Sequence, residues 1–275
     1  MKHGLLIVFS ILALGAGAEV ISLNFVGNAG ASGTLGASDL AGLVGNESGN
    51  GLGSTMVGNW NNLSGNTGSN IGNLQHSAGT FADGVTVSWA ADNLWSIPDT
   101  ASGANNSDNT VMMKGYLDNV NESSTTVTVS GLEAVSGSYS VIVYIDGNNN
   151  DSWARGTYTI GGSSVISEDS EGVDFNSGSG NNANGLFQIP VAGETGNQTW
   201  PFSPNNSEGN MIIFSGLTGS SFTLTATPGE AMDMDNQRAV INGIQIVGVV
   251  PEPASALLFC VVTVIALFVR RRIFA

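Results

Sequence analysis

The chain has 275 residues, 41% of them hydrophobic and only 11% charged, with 38 glycines. Between residues 19 and 253, Lys114, Arg155 and Arg238 stand against all 22 acidic residues, a formal charge of −19. So acidic a surface repels phosphate backbones and excludes nucleic acid as a partner. The lone cysteine (Cys260) and the two histidines (His3 and His76) exclude an intramolecular disulfide and His/Cys zinc centres.

The first 18 residues read as a secretory signal peptide. Lys2 and His3 form a short basic start, residues 5–16 are apolar, and Ala16-Gly17-Ala18 puts small residues at −3 and −1 before Glu19. An apolar run of that length is short for a bilayer, so cleavage is expected rather than anchoring.

Residues 19–249 carry period-two runs at 20–26, 85–89, 125–129, 138–145, 155–160, 210–214, 221–227 and 239–247. In most of them β-branched and aromatic residues alternate with polar ones, and Gly, Asn and Asp clusters separate the runs. Only 39–44 could form a short helical turn. Many short strands without helices predict an all-β fold, an antiparallel β-sandwich with long Gly/Asn-rich loops at 45–73, 102–109 and 171–184. No regular Thr-x-Thr ladder stands out along these runs.

Chemistry-bearing residues are sparse. Asp146, Asn148, Asn150 and Asp151 place oxygens in the style of a calcium loop, yet Asp151 stands where such a loop needs Gly, and no Glu near Tyr158 closes it. A plain hairpin turn between 138–145 and 155–160 accounts for the same residues. Asp233 and Asp235, beside Asn236, form a second calcium candidate, and the two groups could serve one site. Ca2+ is the only cofactor these positions suggest, and none is required.

Trp60, Trp89, Trp95, Trp153 and Trp200 could stack on sugar rings, since apolar sugar faces pack on indoles. Trp89 reads as core. Trp153 and Trp200, in polar loops, are the better carbohydrate-binding candidates. No catalytic residue is assigned. His76 reads as solvated, no pair of carboxylates is singled out for glycoside hydrolysis, and Gly161-Gly162-Ser163-Ser164 reads as a strand-connecting turn.

At the C-terminus, Val250-Pro251-Glu252-Pro253 precedes the sixteen uncharged residues 254–269, and Arg270, Arg271 and Arg272 end the run. A helix of that length rises about 24 Å, workable across a core of about 30 Å when flanking residues reach the interface. The arginine triplet stops it on the cytoplasmic side, and the prolines keep the upstream segment extended. The expectation is a single transmembrane helix that holds the precursor in the membrane, body outside.

Motif, apolar span and basic tail over 250–275 resemble the PEP-CTERM sorting signal of Gram-negative bacteria. The resemblance implies that Pro251, Glu252 and Pro253 are recognised by an exosortase, an integral-membrane cysteine transpeptidase that removes the tail. The protein would then be released or attached at the outer surface, in exopolysaccharide and biofilm. The order of segments from Trp60 to Val247 is similar to that of uncharacterised exported proteins bearing this signal. The closing RAVINGIQIV stretch (238–247) resembles the last strand of jelly-roll domains of the galactose-binding and malectin-like kind, which implies a jelly-roll-like sandwich. The leading expectation is a non-enzymatic cell-surface or matrix component, with a carbohydrate-binding module next and a glycoside hydrolase last.

Overall fold

The computed structural model describes residues 20–43, 54–97, 108–119, 123–132, 137–147, 154–169, 187, 210–229 and 238–248. In chain order these form β1 (Val20–Phe25), a 3-10 turn (Gly30–Gly33), β2 (Asn61–Leu63), β3 (Thr67–Ile71), β4 (Thr86–Ala90), β5 (Asn93–Ser96), α1 (Asp108–Met112), β6 (Gly115–Asp118), β7 (Thr125–Ser130), β8 (Tyr139–Tyr144), β9 (Ala154–Ile160), β10 (Ser163–Asp169), β11 (Met211–Leu217), β12 (Ser221–Pro228) and β13 (Gly243–Gly248). All of them belong to one compact unit, Glu19–Val249.

The strands form a five-stranded sheet ordered β11-β8-β13-β1-β2, a six-stranded sheet ordered β10-β9-β12-β7-β4-β3, and a ribbon of β5 and β6. Period-two alternation aims one set of side chains from each large sheet at the other. Ile21, Leu23, Phe25, Val141, Val143, Ile244 and Ile246 come from the first sheet. Val87, Trp89, Val127, Val129, Tyr158, Leu224 and Phe222 come from the second, and all share one buried core. Phe25 meets Trp89 edge-on at 5.9 Å between ring centres, and Tyr139 lies 6.1 Å from Phe222. This is an all-β sandwich. It is not antiparallel throughout, because β1 pairs β2 in parallel while β13 flanks β1 antiparallel.

The two outer faces differ. Every residue of β1, β8 and β13 is buried, because residues 26–43 and 54–60, with α1, fold over the five-stranded sheet. A second core of Val20, Leu35, Leu43, Trp60, Met112, Ile142, Tyr144, Phe187 and Met211 fills the space beneath them. Gln245, fully buried on β13, pins this cover. Its Oε1 accepts from Thr55 Oγ1 (2.8 Å) and Tyr144 Oη (2.6 Å), while its Nε2 donates to Ser22 Oγ (3.0 Å) and the Thr55 carbonyl (2.9 Å).

Asparagines supply further rungs. Asn109 exchanges two hydrogen bonds with the backbone of Gly42, and Asn62 does the same with Leu35. Asn61 joins the carbonyls of Ser22 and Gln75 and accepts from the Gln75 N–H. These amides satisfy loop backbone that a folded interior would otherwise leave unpaired.

Several expectations are corrected accordingly. The long loop expected over 45–73 contains β2 and β3, and β5, β6 and β10 add strands that no sequence run announced. Of the loop expected over 102–109, Asp108 and Asn109 belong to α1. Of the turn expected over 39–44, the described residues 39–43 form no helix, since Ala41 makes an antiparallel bridge with Val57. The loop 171–184 lies outside the described residues, as do the signal segment 1–18 and the tail 250–275.

Candidate functional site

Most of the sequence-derived site residues fall outside the described residues. These are Trp153, Trp200, Asn148, Asn150, Asp151, Asp233 and Asp235, the sorting motif Pro251, Glu252 and Pro253, and the basic stop Arg270, Arg271 and Arg272. Asp146 is described, and it is fully buried, its backbone N–H donating to Asn242 Oδ1 at 2.6 Å. The hairpin expected there is not formed. β8 lies between β11 and β13 in one sheet, so both its edges are taken, while β9 pairs β10 and β12 in the other. The chain after Ile145 therefore crosses from one sheet to the other. Among the described residues no group of three or more His, Cys, Asp or Glu side chains is arranged to hold a metal ion.

The tryptophans separate cleanly. Trp89 is core, as its alternation indicates, and Trp60 is equally buried, its indole N–H donating to the carbonyls of Ala41 and Val57. Trp95, on β5, is 43% exposed. Its carbonyl and that of Leu94 accept from the backbone and side chain of Asn28, which fix the ribbon against the end of β1. Gly27 makes this approach possible: its φ is +57°, and a Cβ there would collide with the Trp95 carbonyl. His76, expected in solvent, is 8% exposed and bridges Ile21 through its backbone.

A polar junction closes the sandwich at residues 238–242. Asn242 is fully buried, and its Nδ2 donates to the carbonyls of Met113 (2.8 Å) and Gly115 (3.2 Å). Arg238 Nη1 reaches Asp118 Oδ2 at 3.1 Å, and Asn119 accepts from the Ala239 N–H while donating to the Ala226 carbonyl. Burial pushes the Asp118 carboxyl above the usual carboxylate range, against the opposing pull of Arg238 and the Asn119 backbone. With its carboxyl only 1% exposed and held by Arg238, Asp118 latches residues 238–242 to β6.

The outer face of the six-stranded sheet is covered with hydroxyls. One register row runs Thr67, Ala90, Thr126, Thr225, Thr159, Ser164 across all six strands. A neighbouring row holds Ser88, Thr128 and Thr223, and the next holds Thr86, Ser130 and Ser221. Thr128 and Thr223 hydroxyls bond at 2.9 Å, as do those of Thr159 and Ser164, and of Ser124 and Thr227. Thr-x-Thr segments of β7, β12 and β9, far apart in the chain, are thus brought side by side, while Ala90, Ser88 and Ser164 stand in the same rows on the flanking strands. Their signal was the pairs Thr126/Thr128 and Thr157/Thr159 and the triplet Thr223/Thr225/Thr227, which a single-strand reading takes for ordinary solvent-facing alternation.

No protein-family model matches the chain, and no curated protein matches it. Solved structures with similarity include the ANX2 ectodomain from Arabidopsis thaliana, with a TM-score of 0.37, 11% identity, and coverage of 86% of this chain and 52% of that one. The ANXUR1 extracellular domain from the same plant gives 0.32, 13%, 68% and 49%. An exo-beta-1,3-galactanase from Phanerochaete chrysosporium, solved with galactose, gives 0.28, 13%, 62% and 31%. The chain thus spans about half of the two ectodomain chains and under a third of the galactanase.

Proposed function

We propose that the chain is the precursor of an exported, non-enzymatic component of the cell surface or extracellular matrix, trimmed at both ends and sorted by an exosortase-like membrane transpeptidase. One observation carries this reading: every described strand lies between the two predicted processing points. β1 begins at Val20, two residues after Ala18, and β13 ends at Gly248, three residues before Pro251. The two strands are neighbours, with Val20 opposite Val247. Removing residues 1–18 and the tail beyond the motif takes away none of the described rungs, which makes both cuts compatible with a folded product. In this reading the precursor sits in the inner membrane of a Gram-negative-type cell, and the product joins the outer surface or matrix. Mass spectrometry of the protein from its host tests it. The expected species starts at Glu19 and lacks the apolar tail; an intact chain recovered from the cytosol refutes it.

A second reading, a jelly-roll-like carbohydrate-binding module with structural Ca2+, is favoured by one feature. Trp95 presents 43% of its surface from a ribbon anchored by Asn28. A glycan array with and without chelator should then show selective binding that Trp95→Ala removes; binding indifferent to that substitution rejects Trp95 as the platform.

A further inference from the structure

We infer that the hydroxyl-covered outer face of the six-stranded sheet is a docking surface for an uncharged polysaccharide chain, an inference that rests on the surface or matrix role proposed above. Charge is the first argument. The three register rows above and the fourth row of Thr227, Thr157 and Ile166 contain no Asp, Glu, Lys or Arg, and the row beyond them pairs opposite charges, Arg155 with Glu168, although residues 19–253 carry a formal −19. An anionic polymer approaching such a body meets repulsion, whereas a neutral one meets none and finds a neutral face.

Chemistry is the second argument. Each threonine offers a donor, acceptor lone pairs and a methyl group. Ala90 and Ile166 lie in the array as well, Ile166 opposite Thr157. Sugar rings present the same mixture of hydroxyls and apolar faces. The lateral bonds Thr128–Thr223 and Thr159–Ser164 hold side chains in place before any partner arrives, which lowers the ordering cost of binding.

Shape selects a chain over a rigid surface. Six strands at about 4.8 Å spacing give a row about 24 Å long. Neighbouring strands rotate by about 20–25°, so the row turns through about 100° from end to end. A crystal plane, including ice, could touch only two or three strands of such a surface, while a flexible polymer can follow it. Among the described residues, the outer face of the opposite sheet is covered by 26–43, 54–60 and α1.

The test is affinity electrophoresis of the protein isolated from its host, in gels containing hydroxyethylcellulose, dextran or, as the anionic control, alginate. At least one uncharged polymer should retard the protein and alginate should not. The double substitution Thr159→Val and Thr225→Val, which keeps shape and strand propensity, should weaken retardation about tenfold, the loss of roughly one to two hydrogen bonds. Thr225→Lys provides a second perturbation, and the melting temperature of each variant shows whether it is folded. No retardation by either neutral polymer, retardation unaffected in folded variants, or slowed ice growth without polymer binding would overturn the inference. Correct processing together with no retardation sinks the docking face alone; an unprocessed cytosolic chain sinks the surface role beneath it.

Discussion

Asn242→Ala is the sharpest test of how the sandwich is closed. The side chain is fully buried and serves three backbone groups: the Asp146 N–H at 2.6 Å and the carbonyls of Met113 and Gly115 at 2.8 and 3.2 Å. Removing it strands one donor and two acceptors where water cannot easily follow. A buried group left without its partner costs about 1–3 kcal/mol. Carbonyls keep a second lone pair and fall at the lower end, so the sum is about 3–5 kcal/mol, with a small cavity adding to it. Against a total stability of about 5–15 kcal/mol, that is a large share. Urea unfolding followed by tryptophan fluorescence should show the midpoint falling with the slope unchanged. A loss below about 1 kcal/mol would mean that the junction is wet or redundant, and the account of Asn242 as its hub would fail.

Asp118 gives a pH prediction. Its folded-state pKa lies above the ordinary value of 3.8, so between the two values the folded protein binds more protons than the unfolded chain. Its contribution is then present below pH 3.8 and lost as pH rises through the folded pKa. Urea midpoints measured across that acidic window should decline less steeply for Asp118→Asn than for the parent; parallel curves would remove Asp118 from the account. Trp60→Ala should cost about 3–5 kcal/mol, since the indole sits in the second core and makes two hydrogen bonds. Trp95→Ala, starting from a half-exposed ring, should cost less than about half of that by the same unfolding assay, and equal losses would contradict the burial described.

What was legible in the chain follows from how each strand is stabilised. β7 and β12 alternate so strictly that their apolar positions alone place them. β2 could not be found this way, because Asn61 and Asn62 hold it through amide bonds to Ser22, Gln75 and Leu35, and no apolar pattern records those. β3 is similar: Gly68 leaves space for the Trp89 ring, a contact between strands rather than a property of either. The continuous apolar run of β8 read as a hairpin arm, since burial on both faces becomes visible only when residues 26–43 and 54–60 are seen to cover it. The candidate site divides the same way. Trp89 was readable as core from alternation, whereas the hydroxyl face needed register between β4, β7, β12 and β9, which no stretch of sequence states.

The pairing of Val20 with Val247 ties the first strand to the last across almost the whole length of the body. Such a closure is slow, because the chain must lose the entropy of a very long loop before that contact rewards it. A polypeptide made from its N-terminus cannot finish the five-stranded sheet until β13 has emerged, since β13 sits between β8 and β1. The last strand in the sequence is therefore the one that commits this half of the sandwich.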